Sequence, residues 1–416
     1  MKTLQVAYRI PPDGRGGLEN HTIQICKTLA QSKNQEVVLF TLKKTKLGKF
    51  ALEKKQSKGV LIYRLLVPIP HNRFQFFLQT LLFKPILCMA FIKILLVEKP
   101  KLVHFRHLLG LSGLLPVITK ILGKKTCLDL IDYWYLCPAI TYPCYGQLSF
   151  CSQYCFWQQE LTALGLVVQN IPFLKYSYAR GMVIWHQYYW RFIINHVVDM
   201  VLTNSLHIQK FYRQHGFTAN KVVPCGIQPF KALAKTNQNK IVLGFIGTVS
   251  QAKGIEILLK AFAKLSNKNV TLAIYGPATS NYQTLFQRSK KIRYYGPYQL
   301  RDLPTMLAGI DILVVPSVWE EPYGLVVQEA LMSQTVTVVS KIGGLTEQII
   351  EGKNGFLFTA GNYQNLAQKL EPLITHFEKI KNSLDYTLKR RSLEDETKDL
   401  IKYYQNIIGD SETSSE

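Results

Sequence analysis

An α/β protein with two doubly wound parallel-sheet domains is the fold class that this 416-residue sequence predicts. Three observations carry that reading. Strand-like and helix-like segments alternate, and the alternation runs twice along the chain. The strands are short, continuous apolar runs, as expected of parallel strands buried on both faces. A break, Pro224-Cys-Gly-Ile-Gln-Pro229 followed by the polar stretch Lys235–Lys240, separates the two series. The length suits two domains of roughly 150–250 residues each.

In the first series, Leu4–Ile10, Glu36–Leu42, Val60–Leu66, Lys101–Phe105, Thr126–Ile131 and Met200–Thr203 read as strands. Helical stretches are expected at about 18–32, 73–97, 108–122, 156–168, 182–197 and 205–215. The second series restarts with Lys240–Ile246, a glycine-rich turn and a helix to about Leu265. Val270–Tyr275 and Ile292–Tyr295 each end in Gly-Pro, and Asp311–Val315 and Val336–Val339 complete the sheet. The expected division is therefore a first domain over 1–230, a second over 231–387, a crossing helix over 388–408 and a disordered polar tail over 409–416.

The formal charge of +23 is unevenly placed. Residues 1–255 carry 32 Lys/Arg against 9 Asp/Glu, whereas residues 256–416 carry 18 of each. A basic half and a neutral half imply different partners. Between Glu53 and Asp129, 13 basic residues face only Glu98, and this span includes the apolar stretch Phe74–Val97. Lys84-Pro85 and Lys93 interrupt that stretch, so it offers no clean run of about 20 apolar residues to span a bilayer. It reads either as core helices covering a sheet or as a basic, apolar surface lying on anionic lipid. No helix-turn-helix, zinc-finger or RNA-binding signature is present, so nucleic acid is not an expected partner. Met1–Arg9 is too short for a signal peptide and reads as a first strand. Cys137, Cys144, Cys151 and Cys155 cluster without a C-x-x-C, leaving metal binding and redox-sensitive pairing both open. Cys26, Cys88, Cys127 and Cys225 read as isolated apolar fillers.

The chemistry gathers at strand ends, where open α/β sheets bind their ligands. Glu321-Pro-Tyr-Gly-Leu-Val-Val-Gln-Glu329 sets two carboxylates across a turn and into a helix start, just past the strand Asp311–Val315. Carboxylates in that setting accept hydrogen bonds from pairs of sugar hydroxyls. Gly14-Arg-Gly-Gly-Leu-Glu19 joins the first strand to the first helix, a turn that lets backbone approach a phosphate at the helix start. Gly247-Thr-Val-Ser-Gln-Ala-Lys-Gly254 repeats the device and adds a lysine; it lacks the Gly-Lys-Ser/Thr ending of a P-loop. Ser340-Lys-Ile-Gly-Gly-Leu-Thr-Glu347 follows another strand, either as a further set of backbone donors or as an ordinary tight turn.

These residues together resemble the retaining, nucleotide-sugar-dependent glycosyltransferases of family 4 (glycosyl transferases group 1). The matching pieces are Gly16-Gly17-Leu-Glu19, Val103-His-Phe-Arg-His107, Asp132-Tyr-Trp-Tyr-Leu-Cys137, Pro224-Cys-Gly-Ile227, Gly247 to Gly254, Pro316-Ser317, Glu321 to Ala330 and Gly343-Gly344 to Glu347. The resemblance implies the GT-B fold: two Rossmann-like domains facing across a cleft, with a C-terminal helix returning to the first. It implies transfer of a hexose from a UDP- or GDP-sugar to a lipid-linked or polysaccharide acceptor, with retention, no metal and no other cofactor. Glu321 would grip donor hexose hydroxyls and Glu329 the ribose, while Lys253 neutralises the diphosphate beside Gly247 and Thr248. Gly324 and Leu325 would offer backbone N–H groups, Gly16 and Gly17 would close from the first domain, and Glu19, His107 and Asp132 would lie on the acceptor side. It also implies a cytoplasmic protein, peripheral on the inner face of the plasma membrane.

Two positions depart from the family pattern. Its loop begins Gly-Arg, whereas this one begins Gly247-Thr248, which removes one of two cations from the diphosphate; Arg15 and Arg9 are the substitutes at hand. Ile131 occupies the place of a histidine beside the transferred sugar, and His104 and His107 are the nearest imidazoles in sequence. A second reading follows from these departures: a nucleotide-sugar-binding partner subunit without turnover.

Overall fold

The computed structural model describes residues 1–14, 16–45, 50–68, 84–136, 172–230, 233, 240–266 and 269–409, with backbone only for 172–183. The four clustered cysteines, Arg15, the helix expected at 156–168, the first part of that expected at 73–97 and nearly all of the polar tail lie outside the described residues. Two compact units emerge, one of Met1–Pro224 with Leu393–Glu416 and one of Cys225–Ser392. The divisions fall at 224/225 and 392/393, against the expected 230/231 and 387/388.

In the first unit, β1 (Lys2–Ala7) lies parallel between β2 (Glu36–Thr45) and β5 (Leu102–Phe105). Beyond β2 come β4 (Val60–Pro68) and β3 (Ala51–Ser57); beyond β5 come β6 (Lys125–Leu130), β7 (Met200–Thr203) and β8 (Lys221–Val222). All neighbours are parallel except β3, which runs antiparallel to β4. Strand β3 is not among the expected strands, because Ala-Leu-Glu-Lys-Lys-Gln-Ser shows neither an apolar run nor alternation. Its charges suit a sheet edge, and Lys58-Gly59, both at positive φ, make the two-residue hairpin turn.

Helix α1 (Gly17–Gln31) buries Ile25, Cys26 and Leu29 against this sheet. Helix α2 (Pro85–Glu98) starts on proline, which suits a first turn, and stops at Lys99 in the left-handed region. Its buried side, Leu87, Cys88, Phe91, Ile94 and Leu95, faces the core; Met89, Leu96 and Val97 remain 58–61% exposed. Helices α3 (Leu114–Ile121), α4 (Pro172–His196) and α5 (Leu206–Gln214) follow, the last capped by Ser205, whose side chain accepts from the Ile208 amide.

The second unit is a six-stranded, wholly parallel sheet ordered β11-β10-β9-β12-β13-β14. In sequence these are β9 (Ile241–Ile246), β10 (Val270–Tyr275), β11 (Ile292–Gly296), β12 (Ile312–Val315), β13 (Val336–Ser340) and β14 (Phe356–Phe358). That is the 3-2-1-4-5-6 order of a doubly wound sheet, with its topological switch point between β9 and β12. Helices α6 (Ile255–Lys264), α7 (Ser280–Gln287), α8 (Leu303–Ala308), α9 (Leu325–Met332), α10 (Tyr363–Thr375) and α11 (Phe377–Ser383) complete the unit. Leu243, Leu272, Val314, Val327, Val338 and Leu366 lie in its core; each such side chain is worth roughly 1.5–3 kcal/mol of burial.

The last helix, α12 (Leu393–Ile408), belongs to the first unit and starts later than the expected residue 388. Leu400 and Tyr404 are buried on α12, and His21 of α1 meets Glu396 at 2.8 Å. The Tyr404 hydroxyl lies 2.6 Å from His104 Nδ1, and His104 Nε2 lies 2.7 Å from Asp129. Burial holds the His104 imidazole below its ordinary pKa, against the pull of Asp129. A neutral ring then donates from Nε2 to Asp129 and accepts from Tyr404. Arg106 spans from Asp129 (3.0 Å) to Gln5 (3.0 Å). His104 is thus committed to a buried network that ties α12 to β5 and β6, and it does not stand in for the histidine absent at Ile131.

Candidate functional site

The switch point of the second sheet is where the singled-out residues collect. β9 runs into Gly247 (φ +147°), whose amide donates to Tyr275 O at 3.0 Å. The loop ends at Gly254 in the left-handed region (φ +72°), where it caps α6. A Cβ at Gly254 would lie 1.7 Å from Pro316 O, so the loop after β12 rests directly on this backbone. The Val318 amide donates to Ala252 O at 3.0 Å and locks the two loops together.

That closure sets the side chains. Lys253 Nζ sits 2.5 Å from Glu321 Oε1 and 5.2 Å from the centre of the Trp319 ring. Ser317 Oγ donates to the same Glu321 oxygen at 2.7 Å. Glu321 is buried and Lys253 is about one-third exposed, so the lysine faces solvent beyond the carboxylate it pairs with. Gly343 and Gly344 pack beneath this turn: a Cβ at Gly343 would lie 2.6 Å from Glu321 O, and the Gly344 amide donates to that oxygen at 2.8 Å. Of the two readings of the Ser340–Glu347 stretch, tight packing under Glu321 is the one the contacts support.

Gly324 (φ +88°) caps α9, which places the amides of Leu325 and Val326 in the first turn, where a helix has no internal acceptors for its N–H groups. Gln348 Nε2 donates to Tyr323 O, and Gln328 Nε2 donates at 3.0 Å both to Gln348 Oε1 and to Lys389 O. These two buried amides hold the turn in place. Neither is expected from sequence, since nothing in a lone glutamine distinguishes a buried clamp from a surface residue. One turn along α9, Glu329 is half-buried, and its carboxylate has no hydrogen-bond or ion-pair partner among the described residues. Burial pushes its pKa up to about 7. Tyr298, after β11, is pushed upward as well, first by burial and then by the charge of Glu329. Tyr298 was also missed; Gly296-Pro297 marks a strand end but not the ring that follows.

The residues expected on the acceptor side, Glu19, His107 and Asp132, lie in the first unit with Gly16 and Gly17, which were expected to close on the donor, and they form two groups. Gly16 caps α1 in extended backbone, so φ does not require glycine there. A Cβ at Gly16 would lie 2.3 Å from Glu19 Oε2, and one at Gly14 would lie 2.6 Å from Glu19 Cγ, so a larger residue at either position displaces the Glu19 side chain. The Glu19 carboxylate therefore lies over the amino end of α1, which begins at Gly17. In the second group, His107 Nδ1 accepts from the Leu109 amide at 3.0 Å, which leaves Nε2–H to donate to Asp132 Oδ1 at 3.2 Å. Asp132 also accepts from the Trp134 amide at 2.9 Å, and the His107 ring lies 5.5 and 5.4 Å from the Trp134 and Tyr135 rings. Ile131 is half-buried just past β6, with its carbonyl held by Asn204 Nδ2 at 3.2 Å.

Residues 228–389 match the family described as Glycosyl transferases group 1. The chain is 28% identical over 183 residues to D-inositol 3-phosphate glycosyltransferase of Corynebacterium urealyticum, covering 40% of this chain and 43% of that one. It is 25% identical over 193 residues to a 41.2 kDa protein of the cps region of Klebsiella pneumoniae, covering 43% of this chain and 53% of that one. The matches thus span about half the length of these curated relatives. Among solved structures, Anabaena Alr3699/HepE in complex with UDP-glucose superposes with a TM-score of 0.64 at 18% identity, over 98% of this chain and 100% of that one. The chain has the GT-B fold, and its residues 228–389 are a glycosyl transferases group 1 domain.

Proposed function

We propose that this protein is a glycosyltransferase that moves a hexose from a UDP- or GDP-sugar to a lipid-linked or polysaccharide acceptor with retention of configuration. One observation carries the reading: the Lys253–Glu321 pair lies at the switch point, and Glu329, farther along the helix that follows, has no hydrogen-bond or ion-pair partner among the described residues. A diol is the natural partner for such a carboxylate, which suits Glu329 to a ribose. Glu321, held by Ser317 and Lys253, is suited to hexose hydroxyls. Lys253 reaches solvent and supplies the fixed positive charge that a departing diphosphate needs. In the reaction the bond between the anomeric carbon and the diphosphate oxygen breaks, and the acceptor hydroxyl bonds to that carbon from the same face. The hydroxyl proton leaves with the diphosphate oxygen. No metal enters this scheme.

The relatives' names support the donor class, since Alr3699/HepE was crystallised with UDP-glucose. The test is incubation of the purified protein with labelled UDP- and GDP-hexoses and a lipid-linked acceptor. Transfer is expected; neither transfer nor hydrolysis with any common donor would overturn the reading. Ile131 favours the second reading, a binding subunit without turnover, and Ile131→His separates the two. If the wild type is active and the histidine adds nothing, the second reading fails.

Contact with an anionic membrane belongs to the same proposal. Among the described residues no helix is long and apolar enough to cross a membrane. Helix α2, however, turns Pro85, Met89, Lys93, Leu96 and Val97 outward at helical spacing, an apolar stripe with one cation. Helix α4 exposes Trp185, Tyr188 and Phe192. Aromatic and aliphatic side chains interleaved with lysine suit a lipid interface.

A further inference from the structure

At the carboxyl edge of the eight-stranded sheet, two cations lie against Tyr8, the residue after β1, and two more bind neighbouring backbone. The Arg9 guanidinium lies 4.7 Å from the Tyr8 ring centre and donates to its hydroxyl at 3.1 Å. Lys44, near the end of β2, places Nζ 5.9 Å from the same ring centre. Gly110 packs against that ring so closely that a Cβ there would lie 2.4 Å from Tyr8 Cε2, and its carbonyl accepts from Lys84 Nζ at 2.9 Å. Arg64 shares the row: Ala7, Thr41 and Arg64 are register partners across β1, β2 and β4. Its Nη2 donates to Pro11 O at 3.2 Å.

Fold stability does not ask for this arrangement. Among the described residues, Arg9, Arg64 and Lys84 donate only to neutral oxygens, and none forms an ion pair with a carboxylate. The Nε of Arg9 and of Arg64 are both buried with no acceptor. Burial, and then the charge of Lys44, push Lys84 down to about 8; burial, and then Arg9, push Lys44 down. Mutually repelling, half-desolvated cations with unused donors lower stability unless an anion joins them. The rim in question is the carboxyl edge of a doubly wound sheet, where ligands bind. Guanidinium forks and a lysine ammonium are the groups that recognise phosphoryl oxygens.

We propose that Arg9, Arg64 and Lys84, on the rim that holds Tyr8, bind a phosphate or diphosphate group carried by the acceptor. The word acceptor rests on the glycosyltransferase reading above; the anion site rests on the geometry alone. The shared chemistry is a phosphoryl dianion, which either a sugar phosphate or a lipid diphosphate brings.

Calorimetric titration of the full chain with pyrophosphate tests this. Arg64→Gln and Lys84→Gln are each expected to weaken binding at least about tenfold. Lys125→Gln, at the opposite end of β6, should leave it unchanged, and UDP titrations should be the same in all three. Removing a repelling charge should not lower the melting temperature without ligand, so lost binding is distinguishable from lost folding. Absence of pyrophosphate binding, equal binding by the variants, or displacement by UDP would each overturn the proposal. Geranyl diphosphate binding more tightly than glucose 1-phosphate supports the site with a lipid-linked acceptor; the reverse supports it with a sugar phosphate. A protein that binds pyrophosphate through these residues yet transfers no sugar sinks the transferase reading and leaves the site standing.

Discussion

Glu329 holds a half-buried carboxyl with a pKa near 7 and no hydrogen-bond or ion-pair partner among the described residues, so its two protonation states differ in consequence. Its pKa when folded is raised above the ordinary 4.5. The stability it contributes is therefore present below about pH 4.5 and is lost as pH rises through about 7. Glu329→Gln removes that dependence: the variant should gain melting temperature over the wild type from pH 5 to pH 8. A ligand diol needs the ionised form, so UDP affinity should improve as pH rises through 7 in the wild type but not in the variant. At pH 8 the glutamine should weaken UDP binding by about tenfold or more, as befits loss of a charged hydrogen bond. A calorimetric series at pH 6, 7 and 8 reads both effects, and a flat wild-type profile would refute the assignment. Lys253 makes a sharper case for chemistry: Lys253→Met should lower turnover by roughly 10²-fold, the scale of losing one preorganised charge donor, with a smaller change in KM. Glu321 and Glu329 were legible in the sequence because carboxylates at a strand end have few structural uses. Tyr298, Gln328 and Gln348 were not, since their roles come from where distant segments bring them.

At the scale of elements, the loop from β9 to α6 works only with glycine at its end. Gly254→Ala sets a Cβ onto Pro316 O and forces a side chain into left-handed backbone. A loss of at least about 2 kcal/mol is expected, with Lys253 displaced from Glu321; chemical denaturation and UDP binding would both register it. Helix α12 depends on polar burial instead. Tyr404→Phe leaves His104 Nδ1 without its donor, which should cost about 1–3 kcal/mol, read as a lower urea midpoint with no change in UDP affinity. The alternating elements were legible because apolar runs and glycine-rich turns are local signals. Strand β3 was not, because an edge strand needs no apolar pattern. Nor was the neutral, buried role of His104, which depends on Tyr404 300 residues away.

For the whole molecule, the uneven charge and the outward stripe of α2 predict salt-sensitive binding to vesicles containing phosphatidylglycerol. Binding should fall several-fold between 50 and 300 mM salt as charges are screened, and Met89→Glu with Leu96→Glu should abolish it. Equal binding to neutral and anionic vesicles would count against the surface. The sequence by itself determined the doubly wound class, the basic first half and the two-carboxylate motif, because each is written in neighbouring residues. Only the tertiary structure decided which charges meet: Lys253 with Glu321, His104 with Asp129, and Arg9, Arg64 and Lys84 with no carboxylate partner among the described residues. Electrostatic energy depends on distance and burial through space, and a chain specifies neither until strands far apart in sequence lie side by side.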